Sequence, residues 1–158
     1  MSGENVAVAG IINAPANEVY AIIADYQNRH PHILPQAYFT GLEVEEGGNG
    51  AGTIFKSAML FMGKAQSFRM RVAEPEPGRI IAETDLDNGL LTTFTIEPRG
   101  AEQSEVTIAT TFGNTPGLKG LLERLIAPVF LRRVYRAELQ QLDEYARRSK
   151  PKSAGYQN

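Results

Sequence analysis

The sequence predicts an α+β fold in which one curved antiparallel sheet of about seven strands is covered by a long C-terminal helix. Between residues 38 and 112, six β-prone runs are separated by Gly-, Pro- and Asn-rich turns at intervals of roughly ten residues, which is typical of an antiparallel meander. One strand and one or two helices precede the meander, and a single helical stretch follows it. The predicted element order is therefore β-α-α-β6-α.

The first elements are indicated by local signals. Residues 6–12 alternate apolar and small side chains, as a strand does. Pro15 suits the first position of a helix, where its missing N–H costs nothing, and Val19 and Ile22 belong to a helical apolar stripe that ends near Asp25. Residues 27–37 contain two prolines and little periodicity, so we expect a short helix or a structured loop.

The remaining elements are bounded by turn residues. The predicted strands are 38–46, 53–61, 65–74, 79–85, 90–97 and 104–112, and the predicted helix is 118–148. A sheet must cover its apolar face, so it is expected to curl around this helix and to leave a concave space where a small ligand binds.

Length and composition bound the class of protein. The chain has 158 residues without cysteine, which fits one domain over 1–149 and a disordered tail over 150–158, and excludes disulfides and thiol chemistry. No run is long enough to cross a membrane, and the polar start of the chain does not resemble a signal peptide. We therefore expect a cytoplasmic protein with no integral membrane association, and a homodimer is compatible with the sequence.

The charge is unevenly distributed. Residues 1–118 carry a formal charge of −7 and residues 119–158 carry +5. The basic segment either packs on the acidic sheet or faces a partner, and the first alternative is favoured. No strand interleaves aromatic and basic residues, so nucleic-acid binding is not expected.

Five short motifs follow one another in a fixed order: 12–20, 25–35, Gly50-Ala51-Gly52-Thr53, Pro77-Gly78-Arg79, and Leu139 with Leu142. Together they resemble the helix-grip superfamily of START-type and birch-pollen-allergen-like domains (SRPBCC). Within it the chain is most similar to the polyketide cyclase/dehydrase and lipid-transport group. The resemblance implies a helix-grip fold with an internal cavity, and members include lipid carriers and aromatase/cyclases.

Strand alternation predicts the lining of the cavity. The inward set is expected to include Phe55, Ser57 and Met59 of the third strand, Phe68 and Met70 of the fourth, and Phe94 of the sixth. On the fifth strand, Ile80, Ala82 and Thr84 are expected to face inward and Glu83 outward. The alternative is that these residues form an ordinary core without a cavity.

The long helix supplies the opposite wall. Leu125 and Val129 fall on one helical stripe with Leu139, and Arg132 lies on the same stripe as a candidate anchor for an anionic group of the ligand. The alternative, which is favoured, is that Arg132 extends to solvent or pairs with an acidic residue of a strand. The cavity mouth is assigned to Ile33, Leu34 and Tyr38.

No catalytic motif stands out. His30 and His32 are spaced i, i+2, unlike helical metal ligands, so no metal is expected, and the phosphate-loop, dinucleotide and Gly-x-Ser-x-Gly patterns are absent, so no cofactor is expected. Candidate acid or base groups are limited to these histidines, Ser57, Thr84, Thr110 and Arg132.

The favoured function is binding or transport of a hydrophobic or amphipathic small molecule, such as a lipid, a quinone or a polyketide-like compound. The first alternative is a polyketide cyclase/aromatase-like enzyme, which would need an acid/base pair inside the cavity. The second is a partner-binding protein resembling coenzyme Q-binding or ribosome-associated members, which would use the basic helix.

Overall fold

The computed structural model describes residues 6–61, 63–112 and 117–149, with side chains throughout except at 117–127. Its elements are β1 (Val6–Ile12), α1 (Ala16–Ala24), a 3₁₀ helix (His30–Ile33), β2 (Phe39–Glu46), β3 (Ile54–Phe61), β4 (Lys64–Glu76), β5 (Ile80–Asp85), β6 (Leu91–Pro98), β7 (Ser104–Thr111) and α2 (Gly117–Ser149). The predicted α+β fold is confirmed, and most predicted ends lie within two residues of the observed ones. The predicted tail, 150–158, lies outside the described residues.

The seven strands form one curved antiparallel sheet in the order β1-β7-β6-β5-β4-β3-β2. The strands from β2 to β7 pair with their sequence neighbours because short turns connect them. β1 instead pairs with β7, so that Val6 lies opposite Thr110. The two strands at the edges of the sheet, β1 and β2, are therefore neighbours in sequence and distant in space.

The core lies between the concave face of the sheet and the helices. Val19, Ile22 and Ile23 of α1 are fully buried, as their helical spacing predicts. Pro15 is the N-cap of α1 and not its first helical residue, since its backbone is extended. Ile108 of β7 is also fully buried, so both layers contribute to one cluster of apolar side chains.

Three contacts help to hold the C-terminal half of α2 to the rest of the fold. Gly10 of β1 lacks a side chain where the Leu139 side chain lies close to its backbone. Asp143 accepts a hydrogen bond of 2.8 Å from the backbone N–H of Asn13. The Gln141 side chain donates to the carbonyls of His32 and Leu34, which fixes the 3₁₀ helix against α2.

Within the described part of the chain, no helix is long and apolar enough to cross a membrane. α2 has the necessary length but alternates apolar and charged residues along its sequence.

Candidate functional site

A cavity of about 220 Å³ lies between the concave face of the sheet and α2. Its lining comes from the 3₁₀-helix region, from β2 to β6 and from α2. The lining residues are His30, Leu34, Phe39, Leu42, Phe55, Ser57, Met59, Gln66, Ser67, Phe68, Met70, Glu83, Asp85, Asn88, Leu90, Thr92, Phe94, Leu131, Tyr135 and Glu138.

Most of the predicted strand residues lie on this lining. They are Phe55, Ser57, Met59, Phe68, Met70 and Phe94. We call Phe55, Met59, Phe68, Met70, Phe94 and Leu131 the apolar wall. Aromatic rings and flexible methionine side chains adapt to irregular ligand shapes, so this wall suits a molecule with an apolar body. The Ser57 hydroxyl donates to the Gly41 carbonyl, so it can offer a ligand only a hydrogen-bond acceptor.

The predicted orientation of α2 is wrong after Pro128. Val129 is 63% exposed and Arg132 is also exposed, so neither points into the cavity. The face that packs on the sheet contains Leu131, Tyr135 and Glu138, each one turn apart. The prediction extends the spacing of the leucines before Pro128 to the whole helix. The residues after Pro128 do not follow that spacing. The side chain of Leu125 lies outside the described residues.

The predicted mouth is only partly on the lining. Leu34 lines the cavity beside the exposed Asn88 of the β5–β6 turn. Ile33 is fully buried and points into the core. Tyr38 packs edge-on against Phe130, with ring centroids 5.8 Å apart, and does not line the cavity.

The cavity lining also carries buried acidic groups. Glu83 of β5 and Glu138 of α2 are 7% and 3% exposed, and both line the cavity. We call Glu83, Glu138 and His30 the polar end. The prediction for β5 is wrong: Ile81, Glu83 and Asp85 face inward and Thr84 is exposed. Two adjacent isoleucines, Ile80 and Ile81, are compatible with either orientation of the strand. The charge of Glu83 therefore decides the prediction, and it predicts an outward side chain.

Burial raises the pKa of both glutamates. The pKa of Glu83 rises to about 7, and a 2.6 Å hydrogen bond from the Tyr26 hydroxyl opposes part of this rise. The pKa of Glu138 rises well above its usual value because burial and the charge of Glu83 act in the same direction. Glu138 has no hydrogen-bond partner among the residues that the structure describes. The cavity therefore favours the protonated form of both carboxyls more than water does.

His30 is buried beside Glu83 and is neutral at physiological pH. Burial lowers the pKa of the His30 ring to about 4. Its Nδ1 lies 2.7 Å from the carbonyl oxygen of Ile23, which only accepts, so Nδ1 carries the proton. Nε2 therefore presents a lone pair, and it lies 4.0 Å from the Glu83 carboxylate. Stacking on Tyr26, with ring centroids 4.3 Å apart, fixes the ring orientation.

A second polar network lies behind the polar end. Tyr135 of α2 hydrogen-bonds to Thr110, which in turn hydrogen-bonds to Thr92 at 2.9 Å. Burial raises the pKa of Tyr135 to about 12, so this hydroxyl stays protonated. Of the predicted acid or base candidates, Thr110 is thus used within the fold, and the exposed Thr84 lies away from the cavity.

His32 takes no part in the polar end. Its ring stacks on Tyr145 of α2, with ring centroids 5.5 Å apart. Across the residues that the structure describes, no group of three or more His, Asp or Glu side chains could hold a metal ion.

Sequence reasoning missed Glu138 and Leu131, placed Glu83 on the outer face, and considered Tyr26 only as a hydroxyl near the loop of residues 27–37. For Glu138 a signal was present: it lies three and four residues from Tyr135, Val134 and Leu142, which are apolar or aromatic residues on one helical face. A glutamate within such a stripe is the pattern that a buried acid produces. Tyr26 and Glu83 are 57 residues apart, so their hydrogen bond leaves no local signal.

A curved antiparallel sheet that encloses a cavity against one long helix defines a helix-grip domain with a ligand-sized internal site. The chain belongs to the polyketide cyclase / dehydrase and lipid transport family, whose model matches residues 4–147. The predicted resemblance to the START/SRPBCC superfamily is confirmed. No curated protein matches the chain significantly.

Several solved structures share the fold. The KanY protein is 29% identical with a TM-score of 0.78, over 93% of this chain and 99% of that one. The Zhui aromatase/cyclase from Streptomyces sp. R1128 is 20% identical with a TM-score of 0.75, over 94% and 96%. A START superfamily protein from Mycobacterium smegmatis is 15% identical with a TM-score of 0.65, over 88% and 97%. Such likeness establishes the fold of this chain, not a ligand.

Proposed function

We propose that the protein binds a small amphipathic molecule, whose apolar body lies against the apolar wall and whose polar group reaches the polar end. The observation that carries this proposal is the two-sided lining of one cavity. Phe55, Phe68 and Met70 supply apolar surface, whereas Glu83 and Glu138 supply hydrogen-bonding groups that are already buried. A purely structural core would gain nothing from burying two carboxyl groups.

The cavity volume limits the ligand. A dry cavity of roughly 150 Å³ accommodates benzene, so about 220 Å³ suits one or two rings with a short substituent. A long acyl chain or a polycyclic polyketide would extend out of the cavity. Among the ligand classes expected from the sequence, the smaller polyketide-like and quinone-like compounds therefore fit best.

Native mass spectrometry of the purified protein, followed by denaturing extraction, tests this proposal. We expect a bound one- or two-ring species, or binding of neutral 2-phenylethanol and 2-naphthol when both are supplied. The Phe68→Ala variant should lose this binding. Val129→Ala is the matched control and should retain it, because Val129 is exposed. Absence of both a bound species and any binding of these compounds would overturn the proposal.

A second candidate function, an acid–base enzyme of the cyclase or dehydratase type, is favoured by one observation. The unprotonated Nε2 of His30 lies beside Glu83, whose pKa is about 7. His30 can accept a proton from carbon next to a substrate carbonyl, while protonated Glu83 donates a hydrogen bond to the developing enolate oxygen. The C–H bond breaks, the Nε2–H bond forms, and the electron pair moves to the carbonyl oxygen.

Deuterium exchange into the methyl group of acetophenone in D₂O, followed by NMR, tests this candidate. It is a one-ring ketone whose exchange requires only the enolisation step. We expect the protein to raise the exchange rate above the rate in buffer, and His30→Gln to remove that increase. His32→Gln is the matched control. Equal exchange with the wild type and with His30→Gln would exclude this role for His30.

The partner-binding alternative stays a prediction. Arg132, Arg133 and Arg136 are exposed on α2 and give it a basic surface. Nothing in the described contacts identifies what such a surface would bind.

A further inference from the structure

The polar end offers hydrogen-bond acceptors and negative charge without a compensating cation. Among the side chains that the structure describes, the cavity lining contains three acidic residues and no lysine or arginine. Asp85 already takes part in the β5–β6 turn, since its Oδ1 accepts from the backbone N–H groups of Asp87 and Asn88. Glu83 and Glu138 remain directed at the cavity.

Glu138 is the observation that points to a ligand rather than to structure. It is 3% exposed, lines the cavity and has no hydrogen-bond partner in the described part of the chain. Its carboxyl oxygens are not enclosed in the packed core and lie on the cavity lining, where a ligand can hydrogen-bond to them. Glu83 and Glu138 line the same cavity, so one group bound inside it could contact both.

We propose that the ligand is an amine of one or two rings, whose ammonium group binds between Glu83 and Glu138 and donates a hydrogen bond to Nε2 of His30. This inference rests on the proposed function, and it specifies the head group of the ligand. An ammonium has only donors, whereas the polar end has only acceptors once both carboxyls are ionised. The aromatic rings of Phe55 and Phe94 lie on the same lining and favour a cation further.

A carboxylate ligand would be rejected by the same residues. It would place a third negative charge beside Glu83 and Glu138 in a buried site, where like charges repel strongly. Arg132, the anchor for such a ligand in the sequence prediction, is exposed on the far side of α2. A neutral alcohol is intermediate, because it leaves the carboxyls protonated and gains one or two hydrogen bonds.

Binding of the amine should release protons. The titratable groups around the polar end are Tyr26 from the end of α1, His30 from the 3₁₀ helix, Glu83 and Asp85 from β5, and Tyr135 and Glu138 from α2. A bound cation favours the ionised form of both glutamates, whose pKa values are raised in the empty site. Affinity for the amine should therefore increase from pH 5.5 to pH 8.

Isothermal titration with three ligands of matched ring and chain tests the inference: 2-phenylethylamine, 2-phenylethanol and 3-phenylpropanoate. With the wild type at pH 8, the amine should bind about tenfold more tightly than the alcohol, and the carboxylate most weakly. Titration of the amine at pH 6.5 in two buffers of different ionisation enthalpy should show net proton release.

Variants of the two glutamates distinguish binding of the ligand's head group from binding of its ring. Glu83→Gln and Glu138→Gln should each weaken amine binding about tenfold and weaken alcohol binding much less, because a glutamine amide can still hydrogen-bond to a hydroxyl group. Alcohol binding that persists also shows that the variants fold. Glu144→Gln is the matched control, because Glu144 lies on α2 away from the cavity lining. Carboxylate binding as tight as amine binding, or an unaltered amine affinity in both variants, would overturn the inference while alcohol binding still supported the proposed function. If neither the amine nor the alcohol binds, both proposals are wrong.

Discussion

β4 and β5 are adjacent strands of one sheet, yet they line the cavity in opposite ways. β4 presents Phe68, Met70 and Val72 to the interior and places Arg69 and Arg71 outside. β5 presents Ile81 to the interior but follows it with Glu83 and Asp85. The comparison shows that β4 obeys the hydrophobic rule for a half-buried strand, whereas β5 departs from it at the position where Tyr26, His30 and Glu138 converge.

The difference has an energetic meaning. Apolar side chains on the wall stabilise the fold by leaving water. Buried carboxyls do the reverse at neutral pH, because burial favours their protonated form. Buried ionisable groups that lower the stability of the fold are typical of functional sites. The following substitutions compare the apolar wall with the polar end, from the largest expected effect to the smallest.

Phe94→Ala should have the largest effect on stability. Phe94 is 2% exposed on the apolar wall and contacts the edge of the His30 ring, with ring centroids 5.8 Å apart. Its truncation should lower the free energy of unfolding by about 3 to 5 kcal/mol, measured by urea denaturation. A loss below about 1 kcal/mol would mean that this part of the wall is not tightly packed.

Glu83→Gln should stabilise the protein at high pH and not at low pH. Glu83 ionises near 4.5 in the unfolded chain and near 7 in the folded protein. As pH rises through this window the unfolded chain loses its proton first, so the wild type loses stability and the variant does not. The variant should gain about 3 kcal/mol relative to the wild type between pH 4.5 and pH 8. Parallel stability curves for the two proteins would contradict this.

Tyr26→Phe should destabilise the protein moderately. The Tyr26 hydroxyl is the donor to the Glu83 carboxylate at 2.6 Å. Without it, the pKa of Glu83 should rise further, and the free energy of unfolding at pH 8 should fall by about 2 kcal/mol. The loss should be smaller at pH 5, where Glu83 is protonated. The double variant Tyr26→Phe, Glu83→Gln measures the coupling between the two groups.

Arg132→Ala should have almost no effect. Arg132 is exposed on α2 and lies away from the cavity lining. The free energy of unfolding should change by less than about 0.5 kcal/mol, and the affinity for neutral or cationic ligands should not change. A large loss of ligand affinity would restore the role predicted from the sequence.

The sequence was informative wherever a signal is local. Turn residues and alternation located every strand, because turns and pleating act over a few residues. The apolar wall followed from the same alternation at Phe68 and Met70. The polar end could not be predicted, because Tyr26, Glu83 and Glu138 meet only after the sheet has curled around α2. The predicted orientation of α2 is wrong because it applies the helical spacing of the residues before Pro128 to the residues after it.

The pairing of β1 with β7 also determines the order in which the strands can pair during protein synthesis. The first residue of β7, Ser104, follows the last residue of β1, Ile12, by most of the chain length. A ribosome adds roughly 5 to 20 residues per second, so β1 is made several seconds before β7, its partner in the described sheet. The meander from β2 to β6 can pair as it is made, whereas β1 joins the sheet only after β7 has been made, and α2 packs on Gly10 later still.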